Sequence, residues 1–600
     1  MYFFIKSLFY LLSVKQKRQF INLQVLVILM AFFELVGVAS ILPFMAVVSK
    51  PEIIDTNVII NQVYTYIGSE TKNQFTVYLG ALVFFSLLLS SIVSIITTWR
   101  CSLFASRVGA EIGQVLYDYY LHQSWLFHTS SSTAELTKQI AVEANRFTGG
   151  VLQPFMLLNA RIVLALSLSL SIFLLDPLIA FVGIMIFLVA YVVIYKTVKN
   201  RLEKNGNAIS RSSEERFQLM SEAFGGIKDV ILLGRQFDFK HRFKITSQDL
   251  AKGQGQNMAL SQVPRYLIEV IAFGGLIVLV LILLIRGQGD LSQVLPLLSV
   301  YALAGFKLLP AFQQVYSSVT MIKGNLSAFF SIRDDVKSAR EALLVKPNGF
   351  LPEEKLSFEH LIELKDIRFR YPNKNEPVLE KLNLKIEKNQ MIGLVGASGS
   401  GKSTIVDIIM GLIFPQEGGV YVDDIEITRD NQRAWQNKIG YVAQSIFLSG
   451  GTIAENVAFG LPQQEIDYEK VHNAISLAHL DELVQGLENG IYTKVGERGV
   501  QLSGGQRQRI GIARALYHDA EVLVFDEATS ALDGITEKII MDSITDFTGN
   551  KTIIMIAHRL KTVKKCHQVF LIKKGCVVDN GTFSELLERS SEFNEMVQYS

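Results

Sequence analysis

Gly396-Ala397-Ser398-Gly399-Ser400-Gly401-Lys402-Ser403 is the stretch that decides the fold of this 600-residue chain. It fits G-x-x-x-x-G-K-[ST]. The octet follows an apolar run, Ile392–Val395, and opens a helical pattern over Thr404–Met410. A buried strand, a glycine-rich loop and a helix N-terminus therefore stand in series. Backbone N–H groups in such a loop curl around phosphate oxygens, and the helix dipole adds attraction for negative charge. Lys402 is placed to reach β- and γ-phosphates, and Ser403 to ligate Mg²⁺. A plain glycine-rich turn is the alternative, and the strand–loop–helix context disfavours it.

Outward from the octet, residues 358–600 alternate short β-rich apolar runs with helical patterns. Val522–Phe525 and Ile553–Ile556 read as further buried parallel strands, an α/β arrangement. Val522–Phe525 ends in Asp526 and Glu527. An acid at a strand's C-terminal end beside a phosphate loop can hold Mg²⁺ through its hydration shell, and the next can polarise an attacking water.

Leu502-Ser503-Gly504-Gly505-Gln506, ahead of a helix over Arg507–Tyr517, resembles the signature of ATP-binding cassette (ABC) ATPases. The resemblance covers all of 358–600. It implies ATP and Mg²⁺ as ligands, with Gly396, Ser398, Gly399, Ser400, Gly401, Lys402, Ser403 and Thr404 around the phosphates. It makes Tyr371 the aromatic that stacks on adenine and Gln444 a glutamine that senses Mg²⁺ and the membrane part. Gly496–Gly499 resembles the exporter X-loop and Ser530–Asp533 the D-loop. His558 looks like the switch histidine at the γ-phosphate, and Glu527 like the catalytic carboxylate. In this family two cassettes close head to tail, so Ser503, Gly504, Gly505 and Gln506 face ATP held by another copy. One cassette per chain implies a half-transporter that works as a dimer. A symmetric homodimer is the simplest reading, and a heterodimer stays open.

The N-terminal half has another character. The chain is 49% hydrophobic and 19% charged, with a mean hydropathy of +0.29. A soluble protein carries about 25% charged residues. Six apolar stretches lie before about residue 320: 22–48, 75–99, 151–175, 177–195, 264–285 and 291–319. Each reaches or approaches the roughly 20 residues that a spanning helix needs. Buried helices of a soluble protein are the alternative, and six such runs in one half would bury too much. The expected architecture is a six-helix all-α transmembrane domain over 1–335, a linker over 336–357 with Pro347, Gly349 and Pro352, and an α/β P-loop ATPase over 358–600. Residues 1–20 read as an interfacial helix, since Lys15, Lys17 and Arg18 follow the apolar run and no small-residue cleavage site does. The long polar loops 100–150 and 196–263 then fall in the cytoplasm. The net charge of +2 argues against a nucleic-acid partner. Cys101, Cys566 and Cys576 form no disulfide or zinc pattern.

Six spans followed by a cassette resembles a type IV ABC exporter. The resemblance implies coupling helices near Ser124–Thr133 and Ser221–Leu233. Phe33-Glu34-Leu35, Pro264-Arg265-Tyr266 and Lys307-Leu308-Leu309-Pro310 resemble lipid-linked oligosaccharide flippases and polysaccharide exporters. That implies a lipid-linked glycan substrate, a short external helix over Ile53–Tyr66 and a bacterial inner membrane. Arg265, Lys307 and Arg161 are intramembrane cations suited to a pyrophosphate. Internal pairing is their alternative role, with Arg265 and Glu269 at i, i+4 and Lys307 facing Glu34. Exporters of lipid A, drugs or peptides share every cassette motif. A non-transporting ABC protein is disfavoured because Lys402, Ser503, Glu527 and His558 are all present.

Overall fold

The computed structural model describes residues 2–49, 51–175, 177–286, 291–345, 356–496, 499–527, 534–557, 559–560 and 562–598. Some side chains within those ranges, Lys307 among them, lie outside the description. The chain divides into two compact units. One holds Met1–Gln123 and Phe127–Asn348; the other holds Ser124–Leu126 and Gly349–Ser600.

The first unit is helical. Its principal helices are α1 (Tyr2–Tyr10), α2 (Val14–Ala39), α3 (Lys72–Leu121), α4 (Gln153–Leu175), α5 (Pro177–Gly225), α6 (Gln236–Gln262), α7 (Pro264–Arg286) and α8 (Leu291–Val345). Among the described residues, three helical stretches are long and apolar enough to cross a membrane: Val14–Val48, Lys72–Leu121 and Thr133–Leu170. The expected spans 177–195, 264–285 and 291–319 fall on α5, α7 and α8, partly on residues outside the description.

One local reading is corrected and two are extended. One face of the N-terminal helix packs within its own unit: Leu8, Leu11 and Leu12 are buried in one cluster with Ile112 and Leu116 of α3 and Phe329, Ile332 and Val336 of α8. Its apolar run is long enough to fill a groove between helices as well as to lie on a bilayer. Ser13 then caps α2 with a reciprocal box to Gln16. The expected single short helix over Ile53–Tyr66 is two short helices, Ile53–Thr56 and Val58–Ile67, because Asn57 turns extended and caps the second through Ile59 and Ile60. Glu34 accepts from Arg161, as described below, and its expected pairing with Lys307 falls on a side chain outside the description.

The stretch leading into α4 carries two π-helical turns, Gln139–Glu143 and Thr148–Leu152. They bring Gln139, Glu143 and Arg146 onto α5 and α8. Arg146 bonds Glu143 at 2.9 Å, Ser210 at 2.8 Å and Ser327 at 3.3 Å. Helices at this level meet at glycines. A Cβ on Gly206 of α5 would lie 2.6 Å from the Gly324 carbonyl oxygen of α8.

The second unit is built on two sheets. The strands are β1 (Leu361–Phe369), β2 (Leu379–Glu387), β3 (Met391–Val395), β4 (Glu417–Val422), β5 (Ile425–Glu426), β6 (Ile439–Val442), β7 (Val522–Asp526), β8 (Thr552–Ile556), β9 (Gln568–Lys573) and β10 (Cys576–Gly581). An antiparallel sheet runs β2-β1-β4-β5 and a mainly parallel one runs β10-β9-β3-β8-β7-β6. Every residue of β3 and β8 is buried, as continuous apolar runs in a covered parallel sheet require. Two further helices matter for the site, α9 (Lys402–Ile409) and α10 (Gly504–Tyr517).

Candidate functional site

The octet leaves the C-terminal end of β3, in the middle of the parallel sheet, where ligands of open α/β sheets bind. Gly396 is required by a close approach: a Cβ there would meet the Ile572 carbonyl oxygen of β9 at 2.2 Å. Gly401 caps α9 with φ +109°, a left-handed value that favours glycine. Lys402 is buried, and its ammonium donates to the Gly396 and Ala397 carbonyls at 2.8 and 3.0 Å. Burial lowers its pKa, against the opposing pull of Glu527 and Asp526. The Ser400 hydroxyl is buried with no hydrogen-bond partner. Ser403 is exposed, and Thr404 is buried. The Tyr371 hydroxyl lies 3.1 Å from Thr404 Oγ1, and the ring stands edge-on to Phe369 with centroids 4.9 Å apart.

Across the sheet, Asp526 ends β7 and Glu527 follows with φ +48°. That strained backbone turns the Glu527 side chain out of the strand, and its N–H is held by the Ile556 carbonyl at 3.2 Å. Gln444 donates from Nε2 to Glu527 Oε2 at 2.5 Å. Gln444 lies just after β6, the strand that pairs with β7. Strand order thus brings the octet, Gln444, Asp526 and Glu527 to one edge of one sheet.

The glycine cradle, the orphaned Ser400 hydroxyl and a buried ammonium facing two carboxylates fit a metal–polyphosphate. Two residues that sequence reading missed adjoin this group. The Tyr441 hydroxyl donates to Asp526 Oδ2 at 3.3 Å. Asp407 of α9 is held up at about 6 by burial and then by the Asp526 charge. Neither belongs to a contiguous motif; a polar residue on a face otherwise apolar, beside a strand ending in acids, is the only signal either offers.

Ser503 and Gln506 are joined to each other. The Ser503 N–H donates to Gln506 Oε1 at 2.8 Å, and the Gln506 N–H to Ser503 Oγ at 3.2 Å, a capping box that starts α10. Gly504 is exposed and Gly505 half-buried. His558, Ser530–Asp533, Glu497 and Arg498 lie outside the described residues.

In the helical unit, Arg161 Nη1 bonds Glu34 Oε2 at 2.9 Å, and the Ser94 hydroxyl donates to Glu34 Oε1 at 3.0 Å. Arg265 Nε bonds Glu269 Oε1 at 2.6 Å with the arginine half exposed. The two arginines are therefore internally paired, while the Lys307 side chain lies outside the description.

Comparison with known proteins follows this layout. Residues 21–305 match the ABC transporter transmembrane region, and residues 379–530 match the family described as ABC transporter. The ATP-dependent lipid A-core flippase of Vibrio vulnificus is 26% identical over 538 residues, covering 88% of each chain. The ABC multidrug transporter MDR2 of Trichophyton equinum is 37% identical over 305 residues, 48% of this chain; the match spans only 23% of that transporter's length. A bacterial Atm1-family ABC exporter, solved with ATP bound, shares the fold at a TM-score of 0.74 and 20% identity, covering 98% of this chain and 99% of that one. Two successive family matches together take in well over half of the sequence, a helical membrane region and then the sheet-built ATPase unit, and the chain belongs to the ABC transporter family.

Proposed function

We propose that the chain is one half of an ATP-driven exporter. It works as a dimer and moves a lipid-linked oligosaccharide or polysaccharide precursor across a bacterial inner membrane. The ATP-driven part rests chiefly on one observation, the Gln444–Glu527 hydrogen bond beside buried Lys402.

Each residue has a place in that chemistry. Lys402 and the N–H groups of Gly396–Thr404 bind the phosphates. The Tyr371 ring takes the adenine, its orientation set by Phe369 and Thr404. Ser403, Asp526 and Gln444 would hold Mg²⁺, which would supply positive charge against the phosphates. Glu527 accepts the proton of the attacking water, and Gln444 fixes its carboxylate. His558 contacts the γ-phosphate. Ser503, Gly504, Gly505 and Gln506 complete the site of a second copy. Residues 1–335 carry the substrate path and 358–600 the motor.

Glu527→Gln tests the motor. Removing a positioned base costs about 10²–10⁴-fold in rate, so ATP turnover should vanish while ATP still draws two chains together on crosslinking. Turnover near wild type would remove Glu527 from this role.

The substrate rests on a looser resemblance and on Arg265 and Lys307. ATPase stimulation in nanodiscs by polyprenyl-pyrophosphate oligosaccharide, absent with lipid A, supports it. The reverse pattern supports a second reading, a lipid A-like amphiphile, which the similarity to a lipid A-core flippase over 88% of each chain favours.

A further inference from the structure

The strongest unassigned polar group at the ATP site is Tyr441. In the parallel pair β6–β7, Tyr441 is paired with Val524. Paired residues of neighbouring strands point to one face, and residues two apart on a strand share it. Tyr441 therefore shares a face with Val522, Val524 and Asp526. This is the face covered by α9, whose Ile405, Ile408 and Ile409 pack in one buried cluster with Val522 and Val524.

On that face the Tyr441 hydroxyl reaches past Val524 and donates to Asp526 Oδ2 at 3.3 Å. Tyr441 itself is 41% exposed, so the hydroxyl is held by this contact at the edge of the covered face. A phenol is neutral at physiological pH, and toward a carboxylate oxygen its hydroxyl is the donor. Asp526 meanwhile faces the like charge of Asp407 from α9. An aspartate carboxylate rotates broadly about χ2. A fixed donor on one oxygen narrows that rotation, and groups of this kind behind a metal ligand set its orientation.

We propose that Tyr441 is a positioning residue for the metal: its hydroxyl holds Oδ2 of Asp526 so that the carboxylate presents its other oxygen to the hydration shell of Mg²⁺. The inference rests on the proposed ATP site. Its test uses full-length protein in the Glu527→Gln background, where ATP is bound without turnover, and Mn²⁺ as the spectroscopic substitute for Mg²⁺. Tyr441→Phe deletes only the hydroxyl. Mn²⁺ binding to the ATP complex, followed by electron paramagnetic resonance, should weaken about tenfold, the lower end for loss of a metal ligand's hydrogen-bond partner. ATP affinity in EDTA and the unfolding midpoint should not move. Superimposable Mn²⁺ isotherms would overturn the proposal. So would a parallel fall in metal-free ATP affinity and in the midpoint, which marks a merely structural role. If the Glu527→Gln parent bound no Mn²⁺–ATP at all, the ATP-site reading itself would fall, before Tyr441 is altered.

Discussion

Asp407 carries a proton in the folded chain over a range where an unfolded chain has lost it. Burial and then the Asp526 charge raise its pKa to about 6, from an ordinary 3.8. Between those values the folded state binds more protons, so this group's contribution to stability falls as pH rises through the window and is lowest above it. Asp407→Asn is neutral throughout. Its unfolding midpoint should exceed that of wild type at pH 7.5, and the gap should close as pH falls toward 4. A gap independent of pH would refute the shift. At this scale the octet, Asp526 and Glu527 were legible because each stands in a contiguous motif. Tyr441 was not: its partner lies 85 residues away and is reached only through the pairing of β6 with β7. The bond from Arg161 to Glu34 spans 127 residues and was hidden for the same reason.

Between helices, glycines decide how close backbones come. Gly206 has no room for a methyl group, since the Gly324 carbonyl oxygen occupies its place. Gly206→Ala should cost about 1–3 kcal/mol, the usual range for overpacking, read as a lower unfolding midpoint of the full chain. Gly255 of α6 meets nothing within 4 Å. Gly255→Ala should be neutral or stabilising by about 0.5–1 kcal/mol, since alanine favours a helix interior. Equal effects of the two changes would show that helix propensity, not the close approach, governs this layer. Hydropathy revealed helices here but not their interruptions. The break after Ala39, the split at Asn57 and the π-helical turns are settled by caps and by packing against other helices. The burial of Leu8, Leu11 and Leu12 was equally illegible, because an apolar run reads the same against lipid and against protein.

As a whole molecule the chain joins two kinds of sequence, and that contrast was plain from composition alone. Its proposed partner is a second copy, and complementation tests this. Lys402→Ala spoils the octet and Gly504→Asp spoils the signature, so each chain alone should be inactive. Reconstituted together they leave one intact composite site, and ATPase activity should return. No recovery would refute a site shared between chains. For the substrate, Arg265→Ala should raise the glycolipid concentration giving half-maximal stimulation about tenfold, the worth of one charge-assisted bond. An unchanged value would leave Arg265 as the partner of Glu269 alone. The contact of Gly206 with Gly324 has a mechanical consequence. Backbone pressed on backbone has no rotamer to absorb a push, and close-packed interiors compress little. At this level α5 and α8 bear on each other like two stops: neither can be pushed toward the other without moving it.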